Sequence, residues 1–134
     1  PYGPLDPSRR YMVCCAPHGA YAFSGCFYFG PTYQLQLIPE TAKLPRFIFG
    51  VASVLFYLPL FRDFMLLLGC REITRSTMTH IISTSDAKLA IVPGGMEEQI
   101  NTRHDREQHF VQGNLGFIRL AIRLGLGKIS FFVI

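Results

Sequence analysis

The chain has 134 residues, which is enough for one domain with its own hydrophobic core. Hydrophobic residues make up 49% of it and charged residues only 16%, whereas an average soluble domain carries about 25% charge. So few charges favour a membrane or lipid partner, and the net charge of +4 suits an anionic membrane or a phosphate-bearing ligand. Nucleic acid is disfavoured, because no basic run exceeds Arg9-Arg10 and the aromatic residues lie in apolar runs.

Both ends of the sequence look cut. It begins at Pro1 without an initiator methionine, and it ends at Ile134 inside an apolar run that is predicted to be a strand. We therefore expect a single partial domain over 1–134, truncated at both ends.

Short apolar runs alternate with helical segments along the chain. Strands are predicted at 10–15, 71–74, 88–92 and 129–134, and helices at 20–29, 76–85 and 113–124. A glycine turn is predicted at 93–98 and a polar loop at 101–112. This alternation predicts an α/β fold with a mostly parallel sheet flanked by helices.

One long apolar segment, 47–68, interrupts this alternation. No residue from Phe47 to Leu60 is charged. A membrane-spanning helix needs about 20 apolar residues, and Pro59 and the charged pair at 62–63 interrupt this segment. It is therefore predicted to be a buried or interfacial helix that associates with a membrane without spanning it.

Four cysteines lie in apolar surroundings without a C-x-x-C spacing: Cys14, Cys15, Cys26 and Cys70. They are interpreted as free buried thiols in a reducing compartment. His104 and His109 lie in the same polar segment as Asp105 and Glu107, but their spacing fits no standard metal site. No metal site is therefore predicted.

Two turns with reactive groups follow predicted strands. Pro17-His18-Gly19 follows the first strand, and Gly94-Gly95 with Glu97 and Glu98 follows the third. Carboxyl ends of parallel strands meet at one edge of a sheet, so both turns are expected at that edge. A histidine base could deprotonate a hydroxyl there, and glycine N–H groups could stabilise an oxyanion, which suits acyl transfer onto an alcohol. Taken alone, each turn could also be an ordinary tight turn, and one of the two glutamates is expected to be solvated.

Other candidate groups carry weaker signals. Ser24 lacks the G-x-S-x-G surroundings of a hydrolase nucleophile. Cys14 and Cys15 are close to His18 in sequence, but adjacent strand residues point to opposite faces and away from the following turn. Several basic residues could contact phosphates, although each is more often a surface charge: Arg71, Arg75, Arg119, Arg123 and Lys128.

Five sequence blocks occur in a characteristic order. They are RYMV leading into Pro17-His18-Gly19, 58–63 with Gly69, 75–77, 91–98, and 116–121 with Gly125. In this order they resemble the diacylglycerol acyltransferase type 2 family, which includes monoacylglycerol and wax-alcohol acyltransferases. The resemblance runs over nearly the whole chain.

The resemblance implies a membrane enzyme of the endoplasmic reticulum, often found near lipid droplets. Such an enzyme transfers a fatty acyl group from acyl-CoA to a glyceride, as in the conversion of diacylglycerol to triacylglycerol, or to a long-chain alcohol. Acyl-CoA is then a co-substrate and no cofactor is expected. The expected partners are acyl-CoA, the acceptor lipid and the membrane, with a second copy of the chain as a further candidate.

The family's motifs also imply roles for individual residues. Its His-Pro-His-Gly motif makes His18 the catalytic base, and its Gly-Gly-x-x-Glu motif favours Glu98 over Glu97 as the second catalytic residue. The residues implied in substrate binding are Pro17, Gly19, Arg75, Gly94, Gly95 and Phe117. The chain departs from the family at Ala16, Phe23 and Asn114, which stand where a first histidine, an acidic partner of His18 and an arginine would be. The alternative function is a non-catalytic, membrane-associated lipid-binding module.

Overall fold

The computed structural model describes residues 8–16, 26, 46–84, 88–101, 103, 105, 115–126 and 128–133. In chain order its elements are strand β1 (Tyr11–Ala16), strand β2 (Phe47–Val51), a 3-10 helix (Ser53–Phe56), helix α1 (Pro59–Leu67), strand β3 (Arg71–Glu72), helix α2 (Arg75–Thr84), strand β4 (Lys88–Ile91), helix α3 (Gly95–Asn101), helix α4 (Gly116–Arg123) and strand β5 (Lys128–Val133). The predicted α/β fold is therefore confirmed.

The five strands form one parallel sheet in the order β3-β2-β4-β1-β5. β1 lies between β4 and β5, so that Val13 pairs with Ala90 on one side and with Ser130 on the other. β2 pairs with the other side of β4, where Phe49 lies opposite Ala90. The two strands that precede the predicted reactive turns, β1 and β4, are thus direct neighbours.

Alternate residues of the central strands build a hydrophobic core on each face of the sheet. One core contains Val13, Cys15, Cys26, Phe47, Phe49, Val51, Met65, Leu68, Cys70 and Ala90. The other contains Met12, Cys14, Ile81, Ile82, Leu89, Ile91, Phe117 and Ala121. Since α1 supplies residues to the first core and α2 and α4 supply residues to the second, helices cover both faces, as parallel sheets require.

The segment 47–68 differs from its prediction as one helix. Phe47–Val51 forms β2, which lies between β3 and β4, and only Pro59–Leu67 is an α-helix. A short apolar run has no periodicity that separates a buried strand from a buried helix. The close packing of the sheet is visible at Gly50, where an added Cβ would lie 3.2 Å from Ile73 Cδ1.

No helix in the described part of the chain is both long enough and apolar enough to cross a membrane. α1 buries only Met65, whereas Leu60 and Leu67 are 86% and 77% exposed. The exposed apolar residues of α1 and of the two residues before it are Tyr57, Leu58, Leu60, Phe61, Phe64, Leu66 and Leu67. We call this set the α1 apolar surface, and its association with a membrane stays a prediction.

Two helix beginnings determine where site residues lie. Thr74 caps α2, because its Oγ1 accepts a hydrogen bond from the Thr77 N–H at 3.1 Å, and this makes Arg75 the first residue of the helix. Helix α3 occupies 95–101, where the sequence predicted a turn that runs into a loop. The predictions for 20–29 and 101–112 fall almost wholly outside the described residues.

Candidate active site

The carboxyl edge of the sheet brings together the strands that lead into the two predicted turns. β4 ends at Ile91, and the chain then leads to Gly94. The parallel neighbour of β4, β1, ends at Ala16. Three of the predicted site residues follow β1 but lie outside the described residues: Pro17, His18 and Gly19. The topology therefore supports the shared edge, and the catalytic role of the histidine stays a prediction.

Glu98 is a buried carboxylate at this edge. Its side chain is 2% exposed, whereas that of Glu97 is exposed to solvent, as expected for one of the two glutamates. The Glu98 N–H donates a hydrogen bond to the Gly94 carbonyl at 3.2 Å, which begins the first turn of α3. Its carboxylate folds back over Gly94, so a Cβ added to Gly94 would overlap the carboxylate and lie 2.6 Å from Glu98 Cδ. Gly94 is a glycine because Glu98 occupies the space of a side chain.

Gly95 is a glycine for a different reason. Its φ is +52°, in the left-handed region, and no atom lies within 4 Å of the position of an added Cβ. L-residues other than glycine rarely adopt such a φ. The backbone direction at the start of α3 therefore depends on Gly95. Gly94 has a different role, because its lack of a side chain leaves room for the Glu98 carboxylate.

A cavity of about 510 Å³ opens beside the Gly94–Glu98 turn. It is lined by Ile73, Arg75, Met78, Ile91, Val92, Pro93, Gly95, Gly116, Phe117, Arg119, Leu120 and Arg123. Three of the residues predicted to bind substrate thus share one cavity: Arg75, Gly95 and Phe117. Gly94 and Glu98 are buried and are not among the residues that line it.

Three arginines give this cavity its charge. Arg75 comes from the start of α2, and Arg119 and Arg123 come from one face of α4. All three side chains are exposed to solvent. The sequence identified these side chains as candidate phosphate contacts, and their grouping in one cavity is new information. The i,i+4 spacing of Arg119 and Arg123 was the signal for their shared face.

Two of the four cysteines, Cys14 and Cys15, are poor nucleophiles. All four are free and buried, as predicted. Burial raises the pKa of Cys14 to about 12, with a further contribution from the neighbouring Cys15, and burial alone raises the pKa of Cys15 to about 12. At neutral pH both thiols are therefore protonated, which disfavours the cysteine-hydrolase alternative. Ser24, the other hydrolase candidate, lies outside the described residues.

Metal ligands do not gather around this edge in the described part of the chain. Among those residues, no group of three or more histidine, cysteine, aspartate or glutamate side chains could hold a metal ion. The chemistry that the described residues offer is a buried carboxylate, glycine backbone and a cationic cavity.

Sequence comparisons show that the chain is similar to acyltransferases. A family model described as diacylglycerol acyltransferase matches residues 2–133. The chain is similar to diacylglycerol O-acyltransferase 2B of Umbelopsis ramanniana, with 31% identity over 131 residues. It is also similar to 2-acylglycerol O-acyltransferase 3 of Homo sapiens, with 28% identity over 132 residues, and to acyl-CoA wax alcohol acyltransferase 2 of Mus musculus, with 25% over 130 residues.

These alignments differ in how much of each protein they include. They cover 97%, 96% and 96% of this chain, but only 37%, 38% and 38% of the three relatives. The chain therefore spans little more than a third of the length of the curated relatives that it matches. No solved structure matches the chain.

Proposed function

The chain belongs to the diacylglycerol acyltransferase family, and we propose that it carries part of the active site of an acyl-CoA-dependent O-acyltransferase. The observation that carries this proposal is the Gly94–Glu98 turn, which follows β4 at the sheet edge where β1 leads towards His18. The acceptor would be the hydroxyl of a glyceride, with diacylglycerol as the first candidate, or of a long-chain alcohol. The relatives named above include acyltransferases for both classes of acceptor.

The proposed reaction exchanges one acyl bond for another. His18 removes the proton of the acceptor hydroxyl as the oxygen attacks the thioester carbonyl carbon of acyl-CoA. The carbonyl oxygen becomes an oxyanion, which backbone N–H groups at 94–95 would stabilise. When the oxyanion collapses, the carbon–sulfur bond breaks and the ester forms. The histidine returns its proton to the departing CoA thiolate, which becomes the thiol.

Glu98 is the second residue that we propose for the active site. Its carboxylate is buried against Gly94, and its backbone N–H closes the first turn of α3 by donating to the Gly94 carbonyl. A turn held in this way would keep its N–H groups in place before the oxyanion forms, and such preorganisation is the usual source of electrostatic catalysis.

The proposed setting is a membrane, in the endoplasmic reticulum and at lipid droplets. The α1 apolar surface supports contact with lipid, because seven apolar side chains, including Leu60 and Leu67, stay exposed around one short helix. Both the acyl chain and the acceptor lipid would reach the site from that phase.

The catalytic role of His18 is tested with the full-length protein in microsomes supplied with labelled acyl-CoA. We expect His18→Ala to lower the rate of ester formation by about 10²–10⁴-fold, because a positioned general base contributes that much. The control is His80→Ala, which removes an exposed histidine of α2 that hydrogen-bonds to Thr84. Undiminished activity of His18→Ala would refute the assignment.

The α1 apolar surface also favours a second candidate, a non-catalytic lipid-binding module. Such a module would bind lipid vesicles, produce no ester from acyl-CoA and be unaffected by His18→Ala. The same microsome experiment separates the two functions, since only the acyltransferase gives labelled product.

A further inference from the structure

We infer that the cavity between α2 and α4 binds the phosphate groups of the acyl-CoA donor through Arg75, Arg119 and Arg123. This inference rests on the proposed function, because it assumes that acyl-CoA is the donor. It adds to that function a binding site for the phosphate-bearing end of CoA, which takes no part in the reaction.

The cavity has the size and composition of a ligand site. Its volume of about 510 Å³ lies within the range of about 300–1,000 Å³ that is typical of ligand pockets. Its apolar wall is built from β4 and from the inward faces of the two helices, with Ile91, Met78 and Phe117 as examples. An apolar wall with a few charged groups at the opening could hold a nucleotide base beside its phosphates.

The charge of the cavity has one sign. Three of the lining residues are arginines, and none of the described residues that line the cavity is acidic. Arg119 and Arg123 lie one turn apart on α4, and like charges at this spacing destabilise a helix. An anion between the guanidinium groups would remove that cost, and guanidinium forms paired hydrogen bonds to phosphate.

The donor is the anionic reactant of the proposed reaction. Glycerides and long-chain alcohols carry no phosphate, whereas CoA carries three phosphate groups at the end of the molecule far from its thioester. A cationic cavity therefore points to the donor and not to the acceptor. One wall of the cavity includes Gly95, which directly follows Gly94 at the proposed reaction edge, so a donor bound through the arginines would extend from them towards that edge.

The test compares two acyl donors in the full-length protein, acyl-CoA and the phosphate-free acyl-pantetheine. We expect Arg119→Gln/Arg123→Gln to raise KM for acyl-CoA by about tenfold or more, since charge-assisted hydrogen bonds are lost. The rate with acyl-pantetheine and the KM for the acceptor should not change. The donor preference is the ratio of kcat/KM for acyl-CoA to kcat/KM for acyl-pantetheine. This ratio should fall by the same factor as kcat/KM for acyl-CoA.

The matched control is Arg46→Gln, which removes an exposed arginine just before β2, at the opposite edge of the sheet. Arg119→Lys/Arg123→Lys should keep part of the preference, because the charges remain but the paired geometry is lost. An unchanged donor preference in the glutamine variant would overturn the inference. So would weaker binding to anionic vesicles with unchanged donor preference, because the cavity would then bind lipid headgroups. Equal losses with both donors would also overturn it, because the arginines would then be structural.

Direct binding of CoA separates this inference from the proposed reaction. His18→Ala should still bind CoA, and adding the two glutamine substitutions should weaken that binding by a similar factor. If the protein forms no ester but shows this loss, the phosphate site stands and the proposed reaction fails. If ester formation depends on His18 but the two glutamine substitutions leave CoA binding unchanged, the phosphate site is refuted and the proposed reaction stands.

Discussion

At the scale of single residues, Gly94 and Glu98 depend on each other. The carboxylate of Glu98 occupies the space in which any other residue at 94 would place its Cβ. Glu98 is one of the two buried charged or polar residues identified in the described part of the chain, the other being Lys88. A buried carboxylate is costly unless the surrounding structure supports it, so this contact is expected to be sensitive to substitution.

We predict that Gly94→Ala destabilises the protein. The added methyl group would overlap the Glu98 carboxylate and push it or the turn aside, and such overpacking typically lowers the free energy of unfolding by about 1–3 kcal/mol. The measurement is denaturant unfolding of the purified protein. Gly116→Ala is the control, because no atom lies within 4 Å of an added Cβ there. Equal stability of Gly94→Ala and wild type would mean that the carboxylate can leave its position without cost.

At the scale of secondary-structure elements, β2 and α1 divide one apolar segment into two roles. β2 is buried by pairing with β3 and β4, so its hydrophobic side chains stabilise the sheet. α1 follows on the surface and fully buries only Met65, so its most exposed side chains, Leu60 and Leu67, contribute little to the stability of the fold. If α1 contacts lipid, as we propose, these side chains determine membrane binding.

We predict that Leu60→Glu/Leu67→Glu weakens membrane association without unfolding the protein. Burying a leucine side chain contributes about 1.5–3 kcal/mol, so each substitution should lower the partition coefficient into vesicles by about tenfold or more. Vesicle flotation measures the loss, and thermal unfolding should be unchanged because both side chains are exposed. Ile100→Glu, at a position that is 79% exposed on α3, is the matched control. Flotation equal to that of the control would contradict the role of α1.

At the scale of the whole molecule, strand β1, which lies between β4 and β5, places two buried thiols in opposite cores. Cys14 belongs to the core under α2 and α4, and Cys15 to the core on the α1 face. Both pKa values are about 12 in the folded protein, against 9.0 for an ordinary cysteine. Between pH 9 and pH 12 these two thiols lose their protons in the unfolded chain but keep them in the folded chain, so their ionisation favours unfolding.

We predict that stability is unaffected by these thiols below pH 9 and falls as the pH rises from 9 towards 12. Each thiol should lower the free energy of unfolding by about 1.4 kcal/mol per pH unit within that window. Cys14→Ala removes one of the two contributions, so its stability should fall less steeply with pH than that of wild type. Parallel pH profiles for the two proteins would contradict the prediction.

Local sequence signals explain why two predictions failed and others succeeded. Strands at 88–91 and 128–133 could be predicted because residues typical of turns precede each of their apolar runs. The strand at 47–51 could not, because a second apolar segment follows it directly and no periodicity separates the two. The helix at 95–101 was missed because Gly94 and Gly95, just before and at its first position, are typical of a turn.

The sequence by itself determined the α/β alternation and the chemical groups of the site. Both are local properties, since apolar runs, turn residues and motifs are read within a few positions of each other. Only the tertiary structure decided that 47–51 is a strand, that Glu98 is buried, and that Arg75, Arg119 and Arg123 share one cavity. These facts depend on strand pairing and on the packing of α2 and α4 over the same face, which bring together residues distant in the chain.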